Sequence, residues 1–395
     1  MKKLLLFCII PFAIALLFTF QLTVNPSFSN LFFSDVSTAD LNETKLRYIE
    51  NFSLHPESEA AFLSNEQGKA TIYLLGSSEL ATNTTAVPYN FIPSNFNTQV
   101  TAIGHAGNQC LSIYAQLLAN SYRLNNAPIV IILSPGWFES KAAKGTSSAL
   151  FLEFNSEHFL HKTTNAKVED EFKTYLNARI ASMYPEFSSP HLQLKRMYFE
   201  HQSSKSILHA LFFKPLLFIT HQFINLNKSN PAVATTKSID EEAISIHPID
   251  WDSLFQTSKQ EVEKAVTNNE LGIANDYYNE FIHGKNGKIQ PVEASLNQEL
   301  QDCKMLIKLL KSQHARASFI ISPLNALYYK NCNALSPVVS DLENELAAAN
   351  FPYLNLFEGD AKKYDKALLH DVMHFSDYGW YKVDKFIIDT YSITK

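Results

Sequence analysis

The sequence predicts an α/β protein: a doubly wound, mostly parallel sheet, split by a mostly helical insertion and preceded by an N-terminal transmembrane helix. Three observations carry this expectation. Short runs rich in β-branched and aromatic residues stop abruptly at glycine or at Ser-Pro. Helical patterns separate those runs, as successive parallel strands require. A long middle stretch has almost no strand signal.

Taken in order, the chain opens with Met1-Lys2-Lys3 and an apolar run from Leu4 to Leu22. That run is close to the ~20 residues a helix needs to cross a bilayer. Lysines before it and none within it favour a cytoplasmic N-terminus. The expectation is a single-pass anchor over residues 1–24 in the cell membrane, with residues 25–395 outside the cytoplasm. A cleaved signal peptide is the competing reading, but the run is long for a signal core and no small-x-small site follows. Pro11 is a kink that membrane packing tolerates, and Cys8 lies inside the run rather than after it, so no lipid anchor is indicated.

Ala70–Leu75, Gln99–Ile103 and Pro128–Leu133 read as buried strands that stop at Gly76, Gly104 and Ser134-Pro135. A helix is expected from Gln109 to Leu124. An insertion follows over about residues 141–295, helical from Phe151 to Ile224, loop-like from Asn225 to Ile249, and helical again across Asp252–Asn268. The sheet pattern resumes with a helix over 296–314, a strand Ala317–Ile321 ending at Ser322-Pro323, a helix over 338–349 and a strand Tyr353–Phe357. A last helix covers Asp377–Tyr391.

With 395 residues, 46% of them hydrophobic, the chain is long enough to bury a large core. A net charge of −6 without a long basic run gives no electrostatic reason to expect nucleic acid as a partner. Outside the anchor only Cys110, Cys303 and Cys332 remain, too few for a disulfide-dense fold, although Cys303 and Cys332 could pair after export.

Three short blocks could carry chemistry. Gly76-Ser77-Ser78-Glu79-Leu80 is a tight turn at the carboxyl end of a strand, where open α/β sheets bind ligands; helix capping by either serine is the plainer alternative. Gly104-His105-Ala106-Gly107-Asn108-Gln109 is a glycine loop able to bring backbone amides to an oxyanion, or simply a turn. Asp371-Val372-Met373-His374 spaces a carboxylate so that it can orient an imidazole. His370 and His374 also raise a metal site, but no ligand set such as His-Glu-x-x-His accompanies them.

Taken together and in this order, the blocks resemble the SGNH hydrolases, whose serine lies in an early Gly-Asp-Ser block and whose Asp and His come from a late Asp-x-x-His block. The resemblance implies an SGNH/flavodoxin-like three-layer fold. Ser77 stands where that group has Asp, which makes Ser78 the matching nucleophile, and Gly107 matches the glycine of the second block. Within the group the chain is similar to the DltD family, on the N-terminal run, the Gly-Ser-Ser-Glu-Leu turn, Gly107-Asn108-Gln109, Ser134-Pro135-Gly136-Trp137-Phe138, and Asp371 to His374 followed by Gly379-Trp380. It departs at Gly136, where the family has glutamine, and the asparagine that supplies a third oxyanion donor in SGNH enzymes has no counterpart.

The resemblance implies a serine acyltransferase of teichoic-acid D-alanylation, with Ser78, His374 and Asp371 as nucleophile, base and orienting acid. A D-alanyl-serine intermediate would be held by N–H groups of Ser78 and Gly107, with Asn108 or Gln109 beside them. Gly76 shapes the turn, and Glu79 either binds the D-alanyl amine or stabilises the first helical turn. The implied partners are a teichoic-acid-like polyol polymer as acceptor, and a membrane-bound O-acyltransferase with its D-alanyl carrier route. No cofactor is implied, because the serine carries the acyl group. Two other readings stay open: an esterase or thioesterase with the same three residues, and a non-enzymatic anchored protein that presents carrier or polymer. Trp137, Tyr378 and Trp380 read as core packing.

Overall fold

The computed structural model describes residues 48–49, 70–82, 84–140, 143–155, 163, 166–183 and 248–394. The apolar run expected to cross the membrane, and most of the loop expected over 225–249, lie outside the described residues. Among the described residues no helix is long and apolar enough to span a membrane.

Six strands form one parallel sheet in the order β1-β3-β2-β4-β6-β8. These are β1 (Tyr48–Ile49), β2 (Ala70–Gly76), β3 (Thr98–Gly104), β4 (Pro128–Leu133), β6 (Arg316–Ile321) and β8 (Tyr353–Asn355). A separate short pair joins β5 (Gly287–Lys288) to β7 (Tyr329–Lys330). Strand alternation sends side chains to two distinct cores. On β4, Ile129, Ile131 and Leu133 point to one face, and Val130 and Ile132 to the other. Both sets are wholly buried, which is why the strand reads as a continuous apolar run rather than an alternating one.

The helices are α1 (Pro88–Asn95), α2 (Cys110–Ala119), α3 (Ser148–Phe154), α4 (Asp170–Met183), α5 (Trp251–Ala265), α6 (Gln298–Ser312), α7 (Ser336–Ala349) and α8 (Asp377–Tyr391), leaving aside a three-residue turn at Asn275–Tyr277. One face of the sheet is covered by α2, α6 and α7, the other by α1 and α8 with α5 packed on α8. The expected α/β class and parallel sheet are therefore present, with α2 ending at Ala119 rather than Leu124. Besides the short β5–β7 pair, two elements of the sheet domain were not anticipated. β1 is only two residues long, and α1 carries Pro93 in its interior, a residue that argues against helix in a sequence reading. Pro88 at its first turn is well placed, since an N–H at that position would have no helical acceptor and proline has none to leave unpaired.

Within the stretch read as an insertion, the described elements include α3, α4 and α5. α4 is tied to the sheet domain by a buried ion pair. Arg179 Nε and Nη2 lie 2.8 and 3.0 Å from the two oxygens of Asp302 on α6. Tyr175 Oη donates to the same carboxylate at 2.6 Å. Beside it, burial and then the charge of Asp302 push the Glu299 carboxyl well above its ordinary range. Glu299 Oε1 accepts the Cys110 N–H at the start of α2, at 2.8 Å.

The cysteines settle a pairing the sequence left open. All three are free and buried. Cys303 lies against Cys110, not Cys332, because the packing of α6 on α2 brings those two side chains together.

Removing one member of a desolvated pair leaves its partner's charge uncompensated, at a cost of about 3–5 kcal/mol. Arg179→Ala is expected to lower unfolding stability by roughly that amount, read as a lower urea midpoint with an unchanged slope. A surface control, Lys385→Ala, removes an exposed pair with Asp389 and a cation–π contact with the Trp251 ring at 5.8 Å, and is expected to shift the midpoint by well under the Arg179→Ala effect.

Candidate active site

β2 and β3 end side by side with Gly76 opposite Gly104. A Cβ on Gly104 would sit 2.5 Å from the Gly76 carbonyl oxygen, so the two strand ends approach closely only because residue 104 has no side chain. Asn108 Nδ2 donates to that same carbonyl at 2.9 Å. Asn108 is 1% exposed, and its Oδ1 accepts from Gln116 on α2 at 3.3 Å.

Ser77 is the stitch between the two loops. Its Oγ donates to the His105 carbonyl at 2.9 Å and accepts the Gly107 N–H at 3.1 Å. Its own N–H donates to Glu79 Oε1 at 2.7 Å. With Ser77 turned inward, Ser78 heads a 3-10 turn, Ser78–Ala81, and its side chain reaches His374 instead.

The other half of the site comes from the segment before α8. An isolated bridge between Leu369 and Phe375 closes a tight loop, and the His370 N–H donates to the His374 carbonyl at 2.9 Å. Within that loop Asp371 Oδ1 accepts the N–H groups of Met373 and His374 at 2.7 and 2.8 Å. Its Oδ2 lies 2.6 Å from His374 Nδ1. An ionised carboxylate only accepts, so Nδ1 carries the proton and the Nε2 lone pair faces outward. Nε2 is 3.0 Å from Ser78 Oγ. Both imidazole nitrogens are thus engaged.

Burial alone would favour the neutral acid at Asp371. The hydrogen bond and charge of His374, with the two backbone N–H groups, instead hold that carboxyl below its ordinary value. Burial likewise opposes the His374 cation, yet Asp371 and then Glu79 hold the imidazole above its ordinary value. Glu79 is 6% exposed, and desolvation raises its carboxyl.

Two cavities meet at Ser78 and His374. The larger, about 560 Å³, runs between the 3-10 turn and α5, walled by Ala81, Val262, Ala265, Val266 and Phe375. The smaller, about 180 Å³, lies at the ends of β4 and β6 and is lined by Ser134, Gly136, Glu139, Ser322, Leu324 and Tyr329.

Of the residues singled out in the sequence, Ser78, Asp371 and His374 come together in one hydrogen-bonded line. Gly76 and Asn108 hold the turn beneath them. The Gly107 N–H is occupied by Ser77 Oγ, and Leu150 of α3 covers the glycine, whose φ is +88°. Gln109 is buried as the residue before α2 and makes no side-chain cap. Trp380 is wholly buried against Phe375, whereas Trp137, mostly buried, also touches the small cavity. Sequence reading missed the α5 wall and the pair Ser134 and Ser322. The two Ser-Pro steps served only as strand stops, although their recurrence at the ends of adjacent strands was the available signal.

Asn108 is expected to act by holding the nucleophile turn rather than by touching a ligand. Asn108→Ala leaves the Gly76 carbonyl without its donor and is expected to cost about 1–3 kcal/mol in urea unfolding. A variant with wild-type stability would show that the bond to Gly76 holds nothing.

The sequence model of the DltD protein family matches residues 55–392. Protein DltD of Staphylococcus aureus (strain NCTC 8325 / PS 47) is 21% identical over 336 residues, covering 79% of this chain and 78% of that protein. With a family model matching residues 55–392, most of its length, the chain belongs to the DltD family.

Proposed function

We propose that the chain is a serine acyltransferase that moves D-alanine onto a teichoic-acid-like polyol polymer outside the cytoplasm. The observation that carries this reading is the line Asp371 Oδ2, His374 Nδ1, His374 Nε2, Ser78 Oγ, with separations of 2.6 and 3.0 Å at its two hydrogen bonds. His374 takes the Ser78 proton as Oγ attacks the D-alanyl carbonyl, and Asp371 holds the imidazole and balances its charge. The leaving group takes the proton back. A polymer hydroxyl, deprotonated by His374, then breaks the acyl-serine ester and regenerates Ser78.

The Ser78 N–H at the head of the 3-10 turn is one donor for the developing oxyanion. The Gly107 N–H joins it only by giving up Ser77 Oγ. Each missing donor weakens transition-state stabilisation by about 2.7–4 kcal/mol, which suits a persistent acyl-enzyme that waits for its acceptor better than fast hydrolysis. The DltD resemblance supplies the D-alanyl donor, the polymer, the membrane-bound O-acyltransferase and the carrier route. A thioesterase or esterase with the same three residues is the second reading, favoured by the 31% exposure of the His374 side chain, which lets water reach the base. Loss of D-alanine from the acyl-enzyme at equal rates with and without polymer would select it.

The full chain in detergent, treated with a fluorophosphonate and read by intact mass, is expected to gain one label that Ser78→Ala and His374→Ala both lose. Absence of labelling in folded wild type would instead favour a protein that presents carrier or polymer. The labelling rate depends on neutral His374, whose pKa is raised. It is therefore expected to fall with decreasing pH at a midpoint above the ordinary histidine value of about 6.5. Asp371→Asn is expected to slow labelling by up to about 10⁴-fold, since the imidazole loses the partner that fixes its tautomer. It should also move the midpoint down.

A further inference from the structure

We propose that the small cavity at the ends of β4 and β6 is an acyl subsite for a short α-amino acyl group, with Glu139 as the counter-ion of its ammonium. This subsite rests on the reading of Ser78 as an acylated nucleophile.

An acylated serine needs a seat for the acyl group and a separate path for the leaving group and acceptor. Ser78 and His374 border two cavities of very different size. The smaller, at about 180 Å³, equals roughly six water molecules at ~30 Å³ each, room for a handful of heavy atoms. An alanyl group has that size. The larger, open and mostly apolar on its α5 side, is left for the bulkier leaving group and acceptor.

The chemistry of the small cavity is that of an ammonium site. Ser134 and Ser322 stand next to each other because β4 and β6 pair in register, Leu133 opposite Ile321. Ser322 is 3% exposed, lines the cavity, and has no partner for its hydroxyl among the described residues. The Ser134 hydroxyl is equally unpartnered there. Glu139, half-buried at the same rim, has no hydrogen bond or ion pair to its carboxylate among the described residues. Two hydroxyls and a carboxylate match the three donors of an ammonium group. The other carboxylate in the cavity, Glu79, is already bound to the Ser77 N–H and faces His374.

Gly136 sets the volume. Its φ is not in the left-handed region, and a Cβ there would meet Ser134 Oγ at 3.5 Å and Leu324 at 3.7 Å, ordinary contact distances. The backbone therefore does not demand glycine, and any side chain at 136 would enter the cavity.

The test uses the full chain in detergent with the p-nitrophenyl esters of D-alanine, isobutyric acid and acetic acid, near pH 7, where an α-amine is still mostly protonated and a usable share of His374 is neutral. Isobutyrate has a methyl group where D-alanine has its ammonium. In each reaction the Ser78 Oγ–acyl bond forms as the acyl–oxygen bond to nitrophenolate breaks, and His374 takes the Ser78 proton. The D-alanyl to isobutyryl ratio of kcat/KM is expected to exceed one in wild type. Glu139→Gln is expected to lower it about ten-fold or more, Glu139→Asp to restore part of it, and the exposed Glu280→Gln to leave it unchanged. Gly136→Leu is expected to shift preference toward the acetyl ester. Turnover that needs Ser78 but keeps its ratio in Glu139→Gln, or its size preference in Gly136→Leu, overturns the subsite while the serine reading stands. Turnover and fluorophosphonate labelling that are both absent in wild type overturn the serine reading and the subsite with it.

Discussion

The close approach of the ends of β2 and β3 is the constraint on which the site depends. Gly104 has no Cβ because the Gly76 carbonyl occupies that space. Only at that separation can Asn108 reach back to the Gly76 carbonyl, and Ser77 Oγ bridge the His105 carbonyl and the Gly107 N–H. These bonds consume the polar groups of the turn inwardly, so that the one hydroxyl left facing out belongs to Ser78. The turn is thus a rigid part of the sheet edge, and its orientation is decided before any partner arrives from elsewhere in the chain.

The partner arrives from residues nearly three hundred positions later, and its geometry is local. Asp371 folds the loop around itself through two backbone N–H groups and still has an oxygen for His374 Nδ1. α8 begins at once, capped by Ser376, which accepts the Gly379 N–H at 3.2 Å. Its burial against β2, β3 and β4 through Trp380, Val383 and Ile387 fixes where the loop stands over Ser78. The same apolar burial that stabilises the helix therefore positions the imidazole, and the electrostatic balance of Asp371 and His374 follows from that placement.

The surroundings of Ser78 are acidic and partly apolar. Glu79, Glu139, Glu261, Asp371 and Asp377 border the two cavities, with His370 and His374 as the basic side chains beside them. Such a field favours a cationic group over an anionic one beside Ser78. The α5 wall matters as well. It turns an open sheet edge into a groove with one apolar side, built from a helix more than a hundred residues after β4.

Much of this was legible from local pattern. Five of the six sheet strands were legible as short apolar or β-branched runs, four of them with a glycine or Ser-Pro stop, because strand propensity and turn chemistry are properties of neighbours in sequence; β8 had no such stop and ends at Asn355 rather than Phe357. Asp371 and His374 were legible for the same reason, three residues apart on one loop. β1 and α1 were not: two residues cannot carry a period, and Pro93 contradicts the helix that tertiary packing nevertheless holds. By itself the sequence determined the α/β class, and through its resemblance to the SGNH hydrolases it pointed to Ser78, Asp371 and His374. Tertiary structure alone decided that Ser77 takes the Gly107 N–H, that Cys303 faces Cys110, that α5 walls the groove, and that Ser134, Ser322 and Glu139 share a cavity. Each of these is a contact between segments distant in the chain, set by register across the sheet and by helix packing, which no local pattern encodes.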